Sequence, residues 1–306
     1  MKIFLAGGTG VLGRATVPRL VAAGHQVVAV ARSEAKAEQL RQQGAVPVTV
    51  DLFDPAAVRA GLDGCQAAVH MATSIPPLQH GWRTSAWASN DRLRREGTRI
   101  LAEAARDARV EVLVKEGVSF FYRDGGDARI DENWPIDRQP FSAASLDSED
   151  TAVAYSDGPR RGVVLRFGLF YSADSRALAE GLRMARLRQG PMIGLASSWR
   201  ASIYVDDAAS AIVAALDAPP GVYNVADEPI TNSAWNAAFT AAFGMRRSYS
   251  TPRLVLWAGG RKLSVLGGSR RIDSSRFRSA TGWEPAFTDA TVGLPMVAAA
   301  HQGVIA

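Results

Sequence analysis

The amino-acid sequence predicts an α/β fold: a Rossmann-type doubly wound parallel sheet with a smaller C-terminal substrate-binding lobe. In the first half of the chain, short β-branched apolar runs alternate with longer helical patterns, which is typical of βαβ units. A glycine-rich turn follows the first run, and the alternation changes after Tyr171. These observations predict a Rossmann domain over residues 1–171 plus 201–227, and a second lobe over residues 172–200 plus 228–306.

The elements of the predicted sheet follow in order along the chain. Six β-branched runs predict parallel strands over Lys2–Ala6, Gln26–Ala31, Val46–Val50, Ala67–His70, Val110–Val114 and Gly162–Phe167. Helical spacing predicts the crossover helices Val11–Ala23, Ser33–Gln43, Pro55–Leu62 and Asp91–Ala108. Later in the chain the pattern predicts helix Ser175–Arg188, strand Ala201–Val205, helix Asp207–Leu216 and a returning strand Gly221–Val225.

The composition excludes several classes of protein. The chain has 306 residues, of which 47% are hydrophobic, and no apolar run approaches the roughly 20 residues of a membrane-spanning helix. Cys65 is the only cysteine and the four histidines are widely spaced, so we expect no metal site. The net charge of +5 comes from arginines spread along the whole chain, so we expect no nucleic-acid partner. The N-terminus lacks a signal-peptide pattern, which predicts a cytoplasmic location.

A glycine loop follows the first predicted strand and precedes the first predicted helix. Glycines at this point make a tight turn, let the backbone approach a diphosphate and allow close packing of helix on strand. The helix N-terminus adds unpaired N–H donors and the positive end of the helix dipole. The sequence therefore predicts a dinucleotide contacted by Gly7, Thr9, Gly10, Val11, Leu12 and Gly13.

The end of the second strand indicates which dinucleotide is bound. An Asp or Glu about 20 residues past the loop usually binds the ribose 2′-hydroxyl of NAD, but this strand ends in Ala31-Arg32-Ser33. A guanidinium at Arg32 and a hydroxyl at Ser33 suit a 2′-phosphate, and Arg14 stands just after the last glycine. The sequence predicts NADP in preference to NAD, with a solvated surface charge as the alternative role of Arg32.

Several motifs in this order resemble the extended short-chain dehydrogenase/reductases, the NAD-dependent epimerase/dehydratase family. They are the loop Gly7-x-x-Gly10-x-x-Gly13, Asp51-Leu52, Leu165 to Tyr171, Arg200-x-x-x-Tyr204-Val205-Asp206-Asp207, Gly221 to Val225 and Gly282-Trp283-x-Pro285. The resemblance implies a substrate cleft between the lobes and, in many members, a homodimer. It also implies further cofactor contacts by Asp51, Leu52, Met71, Ala72, Thr73, Gly168, Leu169 and Phe170.

The chain departs from the family at the expected catalytic pair. Members normally carry a Tyr followed four residues later by a Lys, because the ammonium lowers the pKa of the phenol toward working pH. The corresponding helix is predicted over Phe141–Ala154, which places Phe141 and Ser145 at the two positions. Proton transfer by the usual route is therefore not expected.

The continuation of the fifth strand offers replacements. We expect Glu116 to act as a carboxylate base with a raised pKa, Ser119 as a hydrogen-bond donor and Tyr122 as a phenolic acid. An extended strand would place Glu116 and Tyr122 on one face and Ser119 on the other. The alternatives are a structural ion pair for Glu116, a turn hydroxyl for Ser119 and simple packing for Tyr122.

Four residues are candidates for contacts with substrate. Arg200 matches the arginine that contacts substrate phosphate in nucleotide-sugar members of the family, which would suit an anionic substrate; a surface arginine is the alternative. Trp82 and Trp87 follow the fourth strand, where a lid could cover a hydrophobic ligand, and Trp199 is expected beside the same cleft. Tryptophans at lobe junctions also serve simply as core residues.

Together these features predict an atypical short-chain dehydrogenase/reductase or epimerase-like enzyme that moves a hydride between NADP(H) and a small organic substrate. Two alternatives stay open. One is a redox-neutral cyclase, isomerase or dehydratase that retains NADP. The other is a non-catalytic protein that senses NADP, because a fold does not by itself specify a function.

Overall fold

The computed structural model of the chain describes residues 1–76, 80 and 83–305, and its centre is a seven-stranded parallel sheet. The strand order is β3-β2-β1-β4-β5-β7-β11, which confirms the predicted doubly wound topology. The strands of this sheet are β1 (Lys2–Ala6), β2 (Gln26–Val30), β3 (Val46–Val48), β4 (Ala67–His70), β5 (Val112–Val118), β7 (Arg161–Phe167) and β11 (Gly221–Val225).

Helices cover both faces of the sheet because its strands are apolar on both sides. One face packs against α1 (Val11–Ala22), α2 (Glu34–Gln42) and α8 (Val205–Ala215). The other packs against α3 (Pro55–Gly61), α5 (Thr98–Asp107) and α6 (Pro140–Val153). Ser33 and Asp54 cap α2 and α3 by accepting from backbone amides of the first turn.

The remaining strands form three small two-stranded pairings outside the main sheet. They are β8 (Leu169–Tyr171) with β10 (Ser202–Tyr204), β9 (Trp199–Arg200) with β12 (Ile230–Thr231), and β6 (Arg129–Ile130) with β13 (Arg271–Ile272).

Most of the later helices belong to the C-terminal part of the chain. They are α7 (Arg176–Arg186), α9 (Asn232–Ala242), α10 (Arg253–Ala258), α11 (Gly260–Gly267), α12 (Ser275–Thr281) and α13 (Ala290–Ile305). Residues of α7, α9 and α13 form an apolar core of their own. The predicted boundaries between the two lobes stay a prediction.

Two predicted elements near the site differ from the structure. The fifth strand was expected at Val110–Val114 with an extended continuation to Tyr122, but β5 runs over Val112–Val118 and a 3-10 helix at Ser119–Phe121 ends it. The expectation that Glu116 and Tyr122 share a strand face is therefore wrong, because strand alternation stops at Val118.

The predicted helix Asp91–Ala108 is also wrong as a single element. It is divided into α4 (Ala88–Arg92), a π-helical turn at Leu93–Gly97 and α5. A π-turn inserts an extra residue into the helical repeat and is often found at functional sites. Here it brings the side chain of Arg94 into the protein interior.

Among the residues that the structure describes, no helix is both long and apolar enough to cross a lipid bilayer.

Candidate active site

The carboxyl ends of the parallel strands meet at one edge of the sheet. In register, Ala6 of β1 pairs with His70 of β4, and Val118 of β5 pairs with Phe167 of β7. The strand order reverses between β1 and β4, and ligands of doubly wound folds bind outside the strand ends at such a point. The candidate site therefore lies at this edge.

The glycine loop forms the first wall of the site. Gly7 has φ +99°, and a Cβ there would lie 2.6 Å from the backbone nitrogen of Ala72. A Cβ on Gly13 would collide with the carbonyl oxygen of Gly7. The N-cap of α1 is Gly10, which has no side chain to occupy the first amides of the helix. This geometry fits the diphosphate of a dinucleotide, because no side chain caps the amides that begin α1 and the glycines open the backbone to close approach.

The other predicted loop residues support the turn. Val11 is half-buried and Leu12 buried, and both pack into the core beneath the loop. The carbonyl oxygen of Thr9 accepts a hydrogen bond of 3.3 Å from Arg14, whose guanidinium also forms a salt bridge of 2.6 Å with Asp174. Arg14 is thus already paired across to the segment after β8.

The end of β2 presents the two residues predicted to select the cofactor. Arg32 and Ser33 are both exposed. The hydroxyl oxygen of Ser33 accepts from the amide of Lys36 at 3.4 Å, and so it caps α2. Arg32 directly precedes this N-cap residue, and a phosphate is favoured at a helix N-terminus by the amides of the first turn and by the helix dipole.

The residues implied to border the rest of the dinucleotide follow β3 and β4. Asp51 is exposed in the turn after β3, and Leu52 packs against the core next to it. Met71 is buried, whereas Ala72 and Thr73 are half-buried directly after β4. The structure thus aligns both turns along the edge at which the glycine loop opens.

The segment Gly168 to Phe170 lies at the end of β7. The amide of Gly168 donates to the carbonyl oxygen of Val225 at 3.0 Å, and β8 begins at the next residue. Leu169 is 40% exposed, and the ring of Phe170 packs 5.3 Å from that of Phe167. Leu169 therefore offers an apolar surface to the site.

A small cavity of about 70 Å³ joins several predicted residues beside this segment. Its lining combines one hydroxyl and two guanidiniums with apolar groups. The lining residues are Ser119, Phe120, Leu169, Trp199, Arg200, Ala201, Leu266 and Arg270. Ser119, Leu169, Trp199 and Arg200 were predicted separately, and the fold brings them together.

The two arginines of this cavity are engaged by the protein itself. Arg200 donates to the carbonyl oxygens of Leu266 at 3.1 Å and Gly267 at 2.7 Å, at the end of α11. Arg270 donates to the carbonyl oxygen of Tyr122 at 3.0 Å. Burial, and then the neighbouring charge of Arg270, lower the pKa of Arg200 to about 10. Arg200 is 5% exposed, so the surface alternative considered for it is wrong, and its contact with substrate stays a prediction.

The three tryptophans predicted to contact substrate lie in different parts of the chain. Trp199 is half-buried, donates from Nε1 to Asp127 at 2.9 Å and lies under the guanidinium of Arg271 at 4.5 Å. Trp87 is half-buried at the end of the 3-10 helix Thr84–Trp87. Trp82 lies outside the described residues. A contact of these side chains with substrate stays a prediction.

Of the three predicted catalytic residues, Ser119 lines the cavity and donates from its hydroxyl to the carbonyl oxygen of Phe167 at 2.9 Å. Tyr122 lies in the interior with 1% of its surface exposed. Its phenol donates to Oδ1 of Asn224 at 2.8 Å and accepts from Arg166 at 2.7 Å. Burial raises the pKa of Tyr122 to about 12, although Arg166 acts in the opposite direction.

Glu116 belongs to a second buried group of charges. Nη2 of Arg94 lies 3.3 Å from each carboxylate oxygen of Glu116, and Nη1 of Arg94 donates to the hydroxyl of Ser145 at 3.1 Å. Nζ of Lys115 lies 3.8 Å from the same carboxylate. Burial, and then the charge of Arg94, lower the pKa of Lys115 to about 8. Ser145 is the position at which the family's lysine was expected. Its hydroxyl contacts the guanidinium of Arg94, which comes from the π-turn.

His70 completes this group at the end of β4. It is fully buried, and neither ring nitrogen has a hydrogen-bond partner among the residues that the structure describes. Burial and the charges of Lys115 and Arg94 hold its pKa well below the ordinary value. The imidazole is therefore neutral.

Sequence reasoning missed the residues that pair with the candidates. Arg94 looked like one of many surface arginines in a helical pattern, and only the π-turn turns it inward. Arg166 carried a signal, since a charge inside a buried strand needs a partner, and Glu149 supplies it at 2.8 Å. Arg270 carried none, because it lies in a glycine-punctuated segment without periodicity.

Comparisons with known proteins agree with this architecture. The family model described as NAD dependent epimerase/dehydratase family matches residues 3–226. A relative from Streptomyces sp, 3-diazoavenalumate denitrifying reductase, is 30% identical over 93% of this chain and 96% of its own length. From Stigmatella aurantiaca, 4-hydroxy-2-methyl-3-oxo-4-farnesyl-3,4-dihydroquinoline-1-oxide ketoreductase is 31% identical over 61% of this chain and 57% of its own length.

A solved structure extends the likeness to three dimensions. The crystal structure of human epimerase family protein SDR39U1 with NADPH matches with a TM-score of 0.82 and 27% identity, over 98% of this chain and 99% of the human chain. The strand order, the glycine loop at the sheet's switch point and the family match all agree. The chain belongs to the NAD-dependent epimerase/dehydratase family.

Proposed function

We propose that the chain is an NADPH-dependent reductase that delivers a hydride to a small organic substrate held beside Ser119 and Leu169. The observation that carries the proposal is a contrast within one site: the glycine loop keeps a cradle for a dinucleotide, but the Tyr/Lys pair is missing. An epimerase must remove and return a proton at a substrate hydroxyl, which requires such a base. A reductase needs only a hydride donor and a source of protons.

The choice of NADPH is supported by one residue and one neighbour. Arg32 is exposed beside the N-terminus of α2, and the similar human protein was crystallised with NADPH. Because Arg14 is paired with Asp174, we assign the 2′-phosphate contact to Arg32 and Ser33. When bound, NADPH supplies the hydride, and the amides at the start of α1 hold its diphosphate.

Water, rather than the phenol of Tyr122, is the proton source that we propose. Tyr122 is buried, donates its only hydroxyl hydrogen to Asn224 and has a raised pKa. A Tyr122→Phe variant that retains full turnover supports this assignment. A large loss of turnover with unchanged NADPH affinity and an intact fold would instead make Tyr122 the acid.

A site without a general acid is best suited to a hydride acceptor that needs no proton. The Streptomyces relative is named for a diazo substrate and for denitrification. An arenediazonium ion takes a hydride at carbon, breaks its C–N bond and releases N₂, and no proton is required. We propose electrophiles of this kind as the substrate class to examine first, together with ketones whose hydride adduct, an alkoxide, takes its proton from water.

A redox-neutral isomerase or dehydratase is the second candidate, and the carboxylate of Glu116 near the end of β5 is the observation that favours it, because a carboxylate could move a proton in place of the missing pair. The two are separated by turnover of arenediazonium and ketone substrates with NADPH deuterated at C4. Loss of absorbance at 340 nm with deuterium in the product supports the reductase. Product formation without NADPH loss would overturn it, and binding of NADPH without any turnover would favour the cofactor-sensing protein.

The predicted homodimer and the cytoplasmic location stay predictions. Sedimentation of the purified protein tests the first, and fractionation of the source cells tests the second.

A further inference from the structure

A second, larger cavity lies in the C-terminal part of the molecule and has no role in the site described above. Its volume is about 300 Å³, and β8, α7, α9 and α13 surround it. Its walls are almost wholly apolar. They include Phe170, Leu178, Met184, Met192, Phe239 and Val297.

The one charged side chain among the described wall residues is Glu180. It forms a salt bridge of 3.1 Å with Arg176 on the same helix. No cation in the wall is thus available to a phosphate, and a carboxylate would repel one. A nucleotide-like ligand is therefore unsuited to this cavity, whereas an apolar one matches its walls.

Two stacked aromatic rings stiffen the wall. Trp235 is only 4% exposed, and its ring stacks on that of Phe239 with centroids 5.4 Å apart. Aromatic side chains offer a large apolar surface with few rotatable bonds, which suits a flat apolar ligand.

The large cavity adjoins the proposed reaction site at one residue. Leu169 lines both the large cavity and the small one that contains Ser119. Tyr171, two residues later, lines the large cavity as well. A molecule held in the large cavity would therefore lie next to the strand end where the cofactor loop opens.

We propose that the large cavity holds the apolar body of the substrate, a fused aromatic ring system or an alkyl chain of roughly a dozen carbons. The size follows from comparison with a cavity of about 150 Å³ that binds benzene. The assignment of the bound molecule as the substrate rests on the proposed reductase function. The farnesylated quinoline named for the Stigmatella relative is a molecule of this apolar kind.

Binding of an apolar probe, naphthalene, to the full chain tests the proposal without any turnover. Ligand-observed NMR gives its affinity. We expect naphthalene to bind the unaltered protein and to lose its affinity when the cavity is filled in Val297→Phe.

Val292→Phe is the matched control for Val297→Phe. Val292 lies on the same helix but is 48% exposed and does not line the cavity. The same substitution at this position should leave the affinity for naphthalene unchanged.

The filled variant tests the location of the site. Val297→Phe adds a ring inside the cavity and should abolish binding of naphthalene, with its fold verified by circular dichroism. The proposal is overturned if naphthalene does not bind the unaltered protein, or if folded Val297→Phe binds it as well as Val292→Phe does. Probe binding that follows this pattern without NADPH oxidation would leave the cavity assignment intact and refute only the reductase.

Discussion

The glycine loop and the carboxyl end of β5 lie at the same edge of one sheet, yet they treat their polar groups in opposite ways. At the loop, the amides that begin α1 have no side-chain cap, and the backbone is open because Gly7 and Gly13 carry no Cβ. At β5, the charges of Glu116 and Lys115 are buried and face Arg94. One region keeps its hydrogen-bonding capacity for a ligand, and the other uses it within the protein.

The difference shows how a site can retain a cofactor while it loses an acid-base pair. Backbone amides bind a diphosphate regardless of the neighbouring side chains, so the loop needs only its glycines. Acid-base chemistry needs two particular side chains at a fixed spacing. The buried charges at the end of β5 pair with each other instead, because unpaired buried charges are strongly unfavourable.

The largest expected effect comes from breaking the paired region. Arg94→Met leaves the carboxylate of Glu116 buried without its guanidinium, and we expect the free energy of unfolding to fall by about 3–5 kcal/mol. Urea unfolding measures the change. Arg99→Met is the control, since Arg99 forms an exposed pair with Glu103 and should change stability little. Equal losses in the two variants would contradict a special role of the buried pair.

Breaking the open region should affect binding instead. In Gly7→Ala the new methyl group would lie 2.6 Å from the backbone of Ala72 and also strain φ, so we expect NADPH affinity to fall at least about 100-fold. Fluorescence titration of NADPH gives the affinity. Gly24→Ala is the control, because Gly24 has φ +80° but no atom within 4 Å of its Cβ position. A loop variant with normal affinity would show that the dinucleotide binds elsewhere.

The pH dependence of stability sharpens the description of the paired region. The pKa of Lys115 is lowered from 10.5 to about 8, so between these values the folded protein releases a proton that the unfolded chain keeps. Stability should therefore rise with pH in that window, by up to about 1.4 kcal/mol per unit. Lys115→Met should lack this rise and Lys36→Met, at an exposed position, should retain it. Parallel curves for all three proteins in urea would refute the buried amine.

The smallest effect is expected at the edge of the open region. Arg32→Ala should weaken NADPH about tenfold and leave NADH affinity unchanged, because only NADPH carries the 2′-phosphate. Titrations with both nucleotides measure the ratio. Arg183→Ala removes an exposed charge on α7 and serves as the control. Equal losses for NADPH and NADH would assign Arg32 a general electrostatic role.

Much of the fold was predictable because its signals are local. The strand Lys2–Ala6, the turn at Gly7 and the start of α1 at Val11 follow from apolar runs and glycine spacing alone. The end of β5 was not predictable in the same way. Phe120, Phe121 and Tyr122 suit a strand by propensity, but the chain turns into a 3-10 helix at Ser119, and tertiary packing decides this.

The features of the candidate site also differ in how local their signals are. The glycine loop, the basic end of β2 and the lack of a Tyr/Lys pair could be predicted from the sequence, because each depends on residue identity at short spacing. The contact of Arg94 with Glu116, the bonds of Arg200 to the end of α11 and the place of Trp235 beside an apolar cavity could be seen only in the folded chain. These contacts join residues 22 to 67 positions apart or, for the cavity, whole helices, and no local pattern encodes which distant group meets a buried charge.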